Sequence, residues 1–336
     1  METPLWTDAH APDIDDLPQE GVRESLWGAV DEPLNLVVHG PKGSGKTAAV
    51  RALAEETHTD PDNDFIEINV DDFFGLTKKE LGEDPRFASF ITPKRRRESS
   101  KADLINHVLK ESASYSPVSG EYKTILLDNA ESMREDFQQA LRRVMEQYYE
   151  ATQFVIATRQ PSALIPPIRS RCFPIPVRAP THDEIVGVLG DIVEAEGVES
   201  DSEGIEYVAG YADGDLRKAI LGAQTTAEGE GEITMDAAYE ALGEVGTDDR
   251  VEAMLDDAEA GAFTDARSTL DDLLVDEGFS GEEVLEDVLR VARSRYDSDR
   301  LAEVHRVAGE IDMDLQSGTN DRLHIAHLLA TLGEGS

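Results

Sequence analysis

Apolar positions in the first half of the chain alternate between short unbroken runs and runs with helical spacing. LNLVVHG, Leu34 to Gly40, is an unbroken run ending in glycine, which predicts a buried strand entering a turn. GVRESLWGAV before it and KTAAVRALAEET after it repeat every three to four residues, as helices do. DFIEINV then reads as a second strand, completing a βαβ opening. Residues 71–100 read as irregular and charged. Beyond them come a helix in SKADLINHVLKESASY, a Pro/Ser/Gly loop, a strand in KTILLDNA, a helix in REDFQQALRRVMEQYYEA and a strand in TQFVIATR. Strands alternating with helices predict a parallel sheet covered on both faces.

From about Thr181 the strand pattern stops and helical spacing takes over. GTDD, residues 246–249, reads as a linker, with a further helical block from Arg250 to Leu332. The chain shows no internal repeat and no low-complexity tract.

Composition sharpens this in three ways. The 336 residues are enough for two or three cores. No run approaches the roughly 20 apolar residues of a membrane span, and the acidic start METPLWTDAHAPDIDD is unlike a signal peptide, so a cytoplasmic protein is expected. The single cysteine, Cys172, excludes an intramolecular disulfide and a cysteine-cluster zinc site within this chain.

Charge is the most unusual bulk property: 70 Asp plus Glu against 31 Lys plus Arg, a formal net charge of -39. Molar salt shortens the Debye length to about 3 Å and removes most of the self-repulsion. The acids are spread between apolar positions along the whole chain, which fits a salt-in halophile better than an acidic tail.

The chemistry centres on GPKGSGKT: Gly40, Pro41, Lys42, Gly43, Ser44, Gly45, Lys46 and Thr47. It satisfies G-x-x-x-x-G-K-[ST] between a predicted strand and a predicted helix, the setting of a phosphate-cradling P-loop. Glycines let backbone N–H groups wrap phosphates, the helix dipole adds to this, Lys46 neutralises β/γ charge and Thr47 can ligate Mg²⁺. ATP and Mg²⁺ are therefore the expected ligands. An acid ending a second apolar strand should complete the metal site, and Asp128 in TILLDNA is placed to do so. The next residue is Asn129, which can position water but cannot take its proton; Glu131 follows two residues on.

IRSRC, Ile168 to Cys172, preceded by LIPP, resembles the Ser-Arg-Cys signature of replication factor C small subunits, the AAA+ sliding-clamp loaders. LWTDAHAP resembles their N-terminal box, ALRRVMEQY their helix after the Walker B strand, and GDLRKAI their sensor 2. AGAFTDARSTLDDLLVDEGFSGEEVL and GEIDMDLQSGTNDRLHIAHLLATL resemble their collar. The resemblance implies an α/β AAA+ P-loop domain over residues 1–178, a small helical lid over 179–245, and an all-α collar for oligomerisation over 246–336. It makes Arg171 an arginine finger for the neighbouring subunit's ATP and puts Arg217 on the bound nucleotide. It also implies other replication factor C subunits, a sliding clamp and primer–template DNA as partners, and no membrane.

Three positions depart from the family pattern. Asn129 stands where a glutamate is usual, Arg159 where the sensor 1 asparagine falls, and His10-Ala11 where the N-terminal box has Tyr-Arg. They point to a specialised paralogue that binds nucleotide, lends Arg171 to a neighbour and hydrolyses ATP weakly. A catalytically silent ring subunit is the alternative; a P-loop kinase is a third reading, disfavoured by the helical last third.

Lys94, Arg95, Arg96, Arg97, Lys101, Arg142 and Arg143 stand out in the acidic chain. By the resemblance they lie near helices lining the loader's channel, where local positive charge suffices for phosphate contact. The competing reading is a solvated loop at 94–97 and a salt-bridge pair at Arg142-Arg143.

Overall fold

A computed structural model describes residues 4–84, 87–118, 120–242, 248–276, 279–317 and 320–334. The chain forms two compact units, Met1–Gly243 and Glu244–Ser336.

The first unit is built on a parallel sheet of β1 (Leu36–His39), β2 (Phe65–Asn69), β3 (Lys123–Asp128), β4 (Thr152–Thr158) and β5 (Phe173–Pro176), in the order β2-β3-β4-β1-β5. Alternate side chains feed opposite faces, as the pleat requires. Ile125, Leu127, Phe154 and Ile156 join one core with the helices Lys101–Ser114 and Glu135–Tyr148. Leu36, Val38, Leu126, Val155 and Ala157 join the other with the helices Glu20–Asp31 and Lys46–Thr57. Burial on both faces explains why the sequence shows unbroken apolar runs rather than alternation.

Two features differ from the sequence reading of this unit. The irregular stretch at 71–100 contains the short helices Val70–Gly75, Lys78–Glu83 and Pro93–Glu98, capped by Asn69, Thr77 and Thr92. Side-chain caps supply start signals that apolar spacing over so few residues does not. β5 was also hidden, because it reads FPIP. As an edge strand it pairs only with β1, and Pro174 and Pro176 need no partner on its open side.

After β5 the chain becomes helical: His182–Glu196, Ser202–Ala212, Leu216–Glu230 and Met235–Leu242. The strand pattern does not end at Thr181, since β6 (Glu199–Ser200) and β7 (Glu232–Ile233) form a two-residue parallel ladder. Runs this short carry no periodicity. The core of these helices takes in Trp6, from the far N-terminus, whose backbone N–H donates to the Gln224 side chain at 2.9 Å.

The second unit is helical: Asp248–Glu259, Phe263–Asp271, Gly281–Arg295, Ser298–Ser317 and Asp321–Glu334, around a core that includes Leu255, Val288, Ile311 and Leu328. Of the expected linker 246–249, residues 246 and 247 lie outside the described residues, and Asp248 and Asp249 already belong to a helix.

Candidate nucleotide-binding site

β1 delivers the chain to Gly40, and the Lys46–Thr57 helix starts six residues later. Between them Gly43 and Gly45 take φ of +68° and +92°, conformations open to glycine and strained for other residues. A Cβ on Gly40 would lie 1.8 Å from the Val177 carbonyl oxygen, so this position needs glycine for close approach. The backbone N–H groups of Gly43, Ser44 and Gly45 take no partner among the described backbone hydrogen bonds. With the first-turn N–H groups of the helix, they form a cradle of donors suited to phosphate.

Lys46 Nζ donates to the Pro41 carbonyl at 2.6 Å, and burial pulls its pKa below the ordinary lysine value despite the nearby carboxylates of Asp128 and Glu131. Thr47 Oγ1 donates to Asp128 Oδ2 at 2.7 Å, joining the P-loop helix to the end of β3. Hard oxygen donors of this kind fit Mg²⁺, which binds through few protein ligands and keeps waters. The residues present thus suit a nucleotide with its metal.

Asn129 has φ +53° and ψ +46°, a left-handed conformation asparagine tolerates. From there the 3₁₀ turn Ala130–Ser132 carries Glu131 to the end of β4. Its carboxylate accepts from Thr158 Oγ1 (2.9 Å), the Arg159 backbone N–H (3.1 Å) and Arg159 Nε (2.7 Å). Burial raises the Glu131 pKa, but the Arg159 side chain, backbone N–H groups and Thr158 outweigh it and hold the group below its usual range. A carboxylate so stabilised is a poor proton acceptor.

Some contacts around the loop left no mark in the sequence. Gln19, 3% exposed, donates to the carbonyls of Ser44 and Arg178, both at 3.0 Å, tying the P-loop to the segment after β5. Asp215 caps the Leu216–Glu230 helix through Lys218 N–H, and Leu216 N–H donates to the Gly43 carbonyl at 3.1 Å. Arg217, exposed, follows directly, so its helix start rests on the P-loop.

Arg171 lies outside this cluster. It ion-pairs with Glu146 at 2.6 Å and donates to the Pro167 carbonyl at 2.7 Å. Cys172 is partly buried and that burial pushes its thiol up to about 12, leaving it unreactive at neutral pH. Among the basic candidates, Lys94, Arg95, Arg97 and Arg143 are exposed, Arg96 approaches Glu83 at 4.0 Å, Lys101 donates to the Phe74 carbonyl and Arg142 faces Glu146 at 3.7 Å.

Two family models match: ATPase family associated with various cellular activities over residues 36–178, and Replication factor C C-terminal domain over 247–331. The replication factor C small subunit of Halobacterium salinarum is 30% identical over 98% of this chain and 95% of its own. The chain belongs to the replication factor C small-subunit family.

Other family members agree. The replication factor C small subunit of Methanococcus maripaludis is 32% identical, covering 89% of this chain and 87% of its own. That of Archaeoglobus fulgidus is 30% identical over 98% and 97%. RuvB of Thermotoga maritima, 15% identical, aligns with TM-score 0.53 over 78% of this chain and 86% of its own, a likeness of fold. As a replication factor C small subunit, this chain is an AAA+ ATPase-class clamp-loader component of DNA replication and binds nucleotide. Among the described residues, no helix is long and apolar enough to cross a membrane.

Proposed function

We propose that this subunit holds ATP and Mg²⁺ between Gly40–Thr47 and Asp128, turns ATP over slowly, and lends Arg171 to the ATP of a neighbouring replication factor C subunit. The observation carrying this reading is that Asn129, beside Asp128, has no carboxylate and that the Glu131 carboxylate which follows it accepts from Thr158 Oγ1, the Arg159 backbone N–H and Arg159 Nε. The Arg171 pairing with Glu146, rather than with a P-loop group, supports a role outside its own site.

In this reading Thr47 and Asp128 hold the metal, Lys46 meets the phosphates and Arg217 reaches the nucleotide from the lid, residues 179–245. The collar, 246–336, joins the ring. The ring opens a sliding clamp and sets it on primer–template DNA, whose phosphates meet exposed Lys94, Arg95, Arg97 and Arg143; Arg96, Lys101 and Arg142 supply further positive charge there. ATP turnover in molar KCl, by the chain alone and by the ring carrying Arg171→Ala, tests this. Unchanged ring turnover would rule out the finger and leave a silent structural subunit.

A further inference from the structure

The Lys101–Ser114 and Glu135–Tyr148 helices both give residues of their first two turns to a cavity of about 250 Å³. Phe74, Ala102, Ile105 and Phe137 form its apolar wall, with the two phenylalanine rings edge to face at 5.0 Å and 88°. An apolar cavity of about 150 Å³ accepts a benzene ring, so this one has room for a single planar ring system.

The polar groups around the cavity differ in what they have left to offer. Lys101 Nζ donates to the Phe74 carbonyl, which fixes the wall carrying that ring. Arg134 is bidentate to Asp136 at 2.6 and 3.2 Å, and Ser132 Oγ donates to the Asn129 carbonyl at 3.0 Å. Asn106 Oδ1, by contrast, is buried and accepts from no described residue. A buried acceptor without a donor is costly, so the group that fills the cavity should bring an N–H. A phosphate brings only acceptor oxygens and would meet the Asp136 carboxylate. The cavity therefore suits a flat, neutral, N–H-bearing group rather than an anion.

The surface leading to it is cationic. The Pro93–Glu98 helix, with Lys94, Arg95 and Arg97 exposed, is joined to the Lys101–Ser114 helix by Ser99 and Ser100 alone. Lys78 Nζ holds this joint by donating to the Ser99 carbonyl at 2.6 Å. Positive charge for a sugar–phosphate chain beside an aromatic wall for a base is the combination that single-strand-binding proteins use. Adenine, cytosine and guanine each carry an amine, and asparagine is a regular partner of base edges.

We propose that this cavity receives one unpaired base of the DNA held by the ring, lying against the Phe74–Phe137 wall with its amine on Asn106 Oδ1, while Lys94, Arg95 and Arg97 meet the phosphates beside it. This rests on the reading that the ring takes primer–template DNA at the exposed basic run, and it adds contact with a base. An unpaired base is favoured because extruding one from a duplex costs its stacking and pairing.

The test is photo-crosslinking of the assembled ring, with ATP and Mg²⁺, to primer–template DNA carrying 5-iodocytosine at unpaired template positions beside the primer end or at paired positions. Mass spectrometry should map crosslinks from the unpaired positions to Phe74, Asn106 or Phe137, with few from the paired ones. Ala102→Phe fills the cavity and should cut these crosslinks about fivefold or more at saturating DNA, the loss of one stacked base. Asn106→Leu removes the acceptor and should cut them too; it serves alone if the Ala102→Phe chain, checked by ATP binding, does not fold. Crosslinks confined to residues 94–97, or undiminished in a variant that binds ATP, would overturn the proposal and leave backbone contact only. A ring that binds no DNA at all would overturn the DNA reading beneath it as well.

Discussion

Glu146 Oε1 stands 2.6 Å from an Arg171 Nη and 3.7 Å from Arg142 Nε, so a single carboxylate oxygen faces two arginines of different elements. Arg142 and Glu146 lie one turn apart on the Glu135–Tyr148 helix, while Arg171 follows the Pro166–Arg169 turn. Both members of the Arg171 pair are about 40% exposed, so the pair contributes less than about 1 kcal/mol to folding. Arg171→Ala should therefore leave the melting temperature and nucleotide affinity of the isolated chain nearly unchanged. Turnover at the neighbouring site of an assembled ring should fall by about 10³-fold or more, as for other arginine fingers. Calorimetry on the chain and phosphate release by the ring read the two effects separately.

Asn129 is the second target. Asn129→Glu puts a carboxylate next to Asp128 and should raise ATP turnover of this subunit. The same change forces a poorer left-handed residue onto φ +53°, at a cost of about 1 kcal/mol. Higher turnover with a slightly lower urea midpoint is the expected result. Unchanged turnover would show that more than a missing base limits hydrolysis.

The P-loop glycines separate two kinds of constraint. At Gly43 a Cβ would lie 2.0 Å from the Asp215 carboxylate and φ is +68°; at Gly45 φ is +92° but no atom lies within 4 Å. Gly45→Ala should cost about 1 kcal/mol from conformation alone. Gly43→Ala adds a collision with the cap of the Leu216–Glu230 helix and should cost about 1–3 kcal/mol more. Denaturant unfolding of both variants checks the order, and a Gly43→Ala protein as stable as Gly45→Ala would contradict it.

Glu184 gives a pH signature. The Arg178 guanidinium, bonded to it at 2.7 Å, outweighs burial and, with the Thr181 N–H, lowers its carboxyl from the usual 4.5 to about 2. A depressed folded-state value means the stabilisation is complete above about pH 4.5 and drains away as pH falls towards 2. Glu184→Gln should lower stability at pH 7 and flatten the acid limb between these values. Melting curves from pH 7 to 2 in constant KCl would show it, and a parallel limb would count against the pair.

The sequence by itself determined the P-loop, the strand and helix on either side of it, the acid at the end of β3 and the change to a helical second half. These are local: a glycine pattern sets backbone freedom, and apolar spacing sets which face is buried, within a few residues. Short capped helices at 71–100 and the proline-bearing edge strand β5 were local too, but their signals are caps and edge position rather than periodicity. What only the tertiary structure decided is which distant side chains meet. The order β2-β3-β4-β1-β5 sets β4 between β3 and β1. That brings Glu131 to Arg159, while the packing around the loop carries Gln19 to Ser44 and Leu216 to Gly43. Each pair spans 25 residues or more of sequence. No pattern along a chain encodes a hydrogen bond between such positions, because its geometry exists only once strands have taken their places and buried polar groups must find partners.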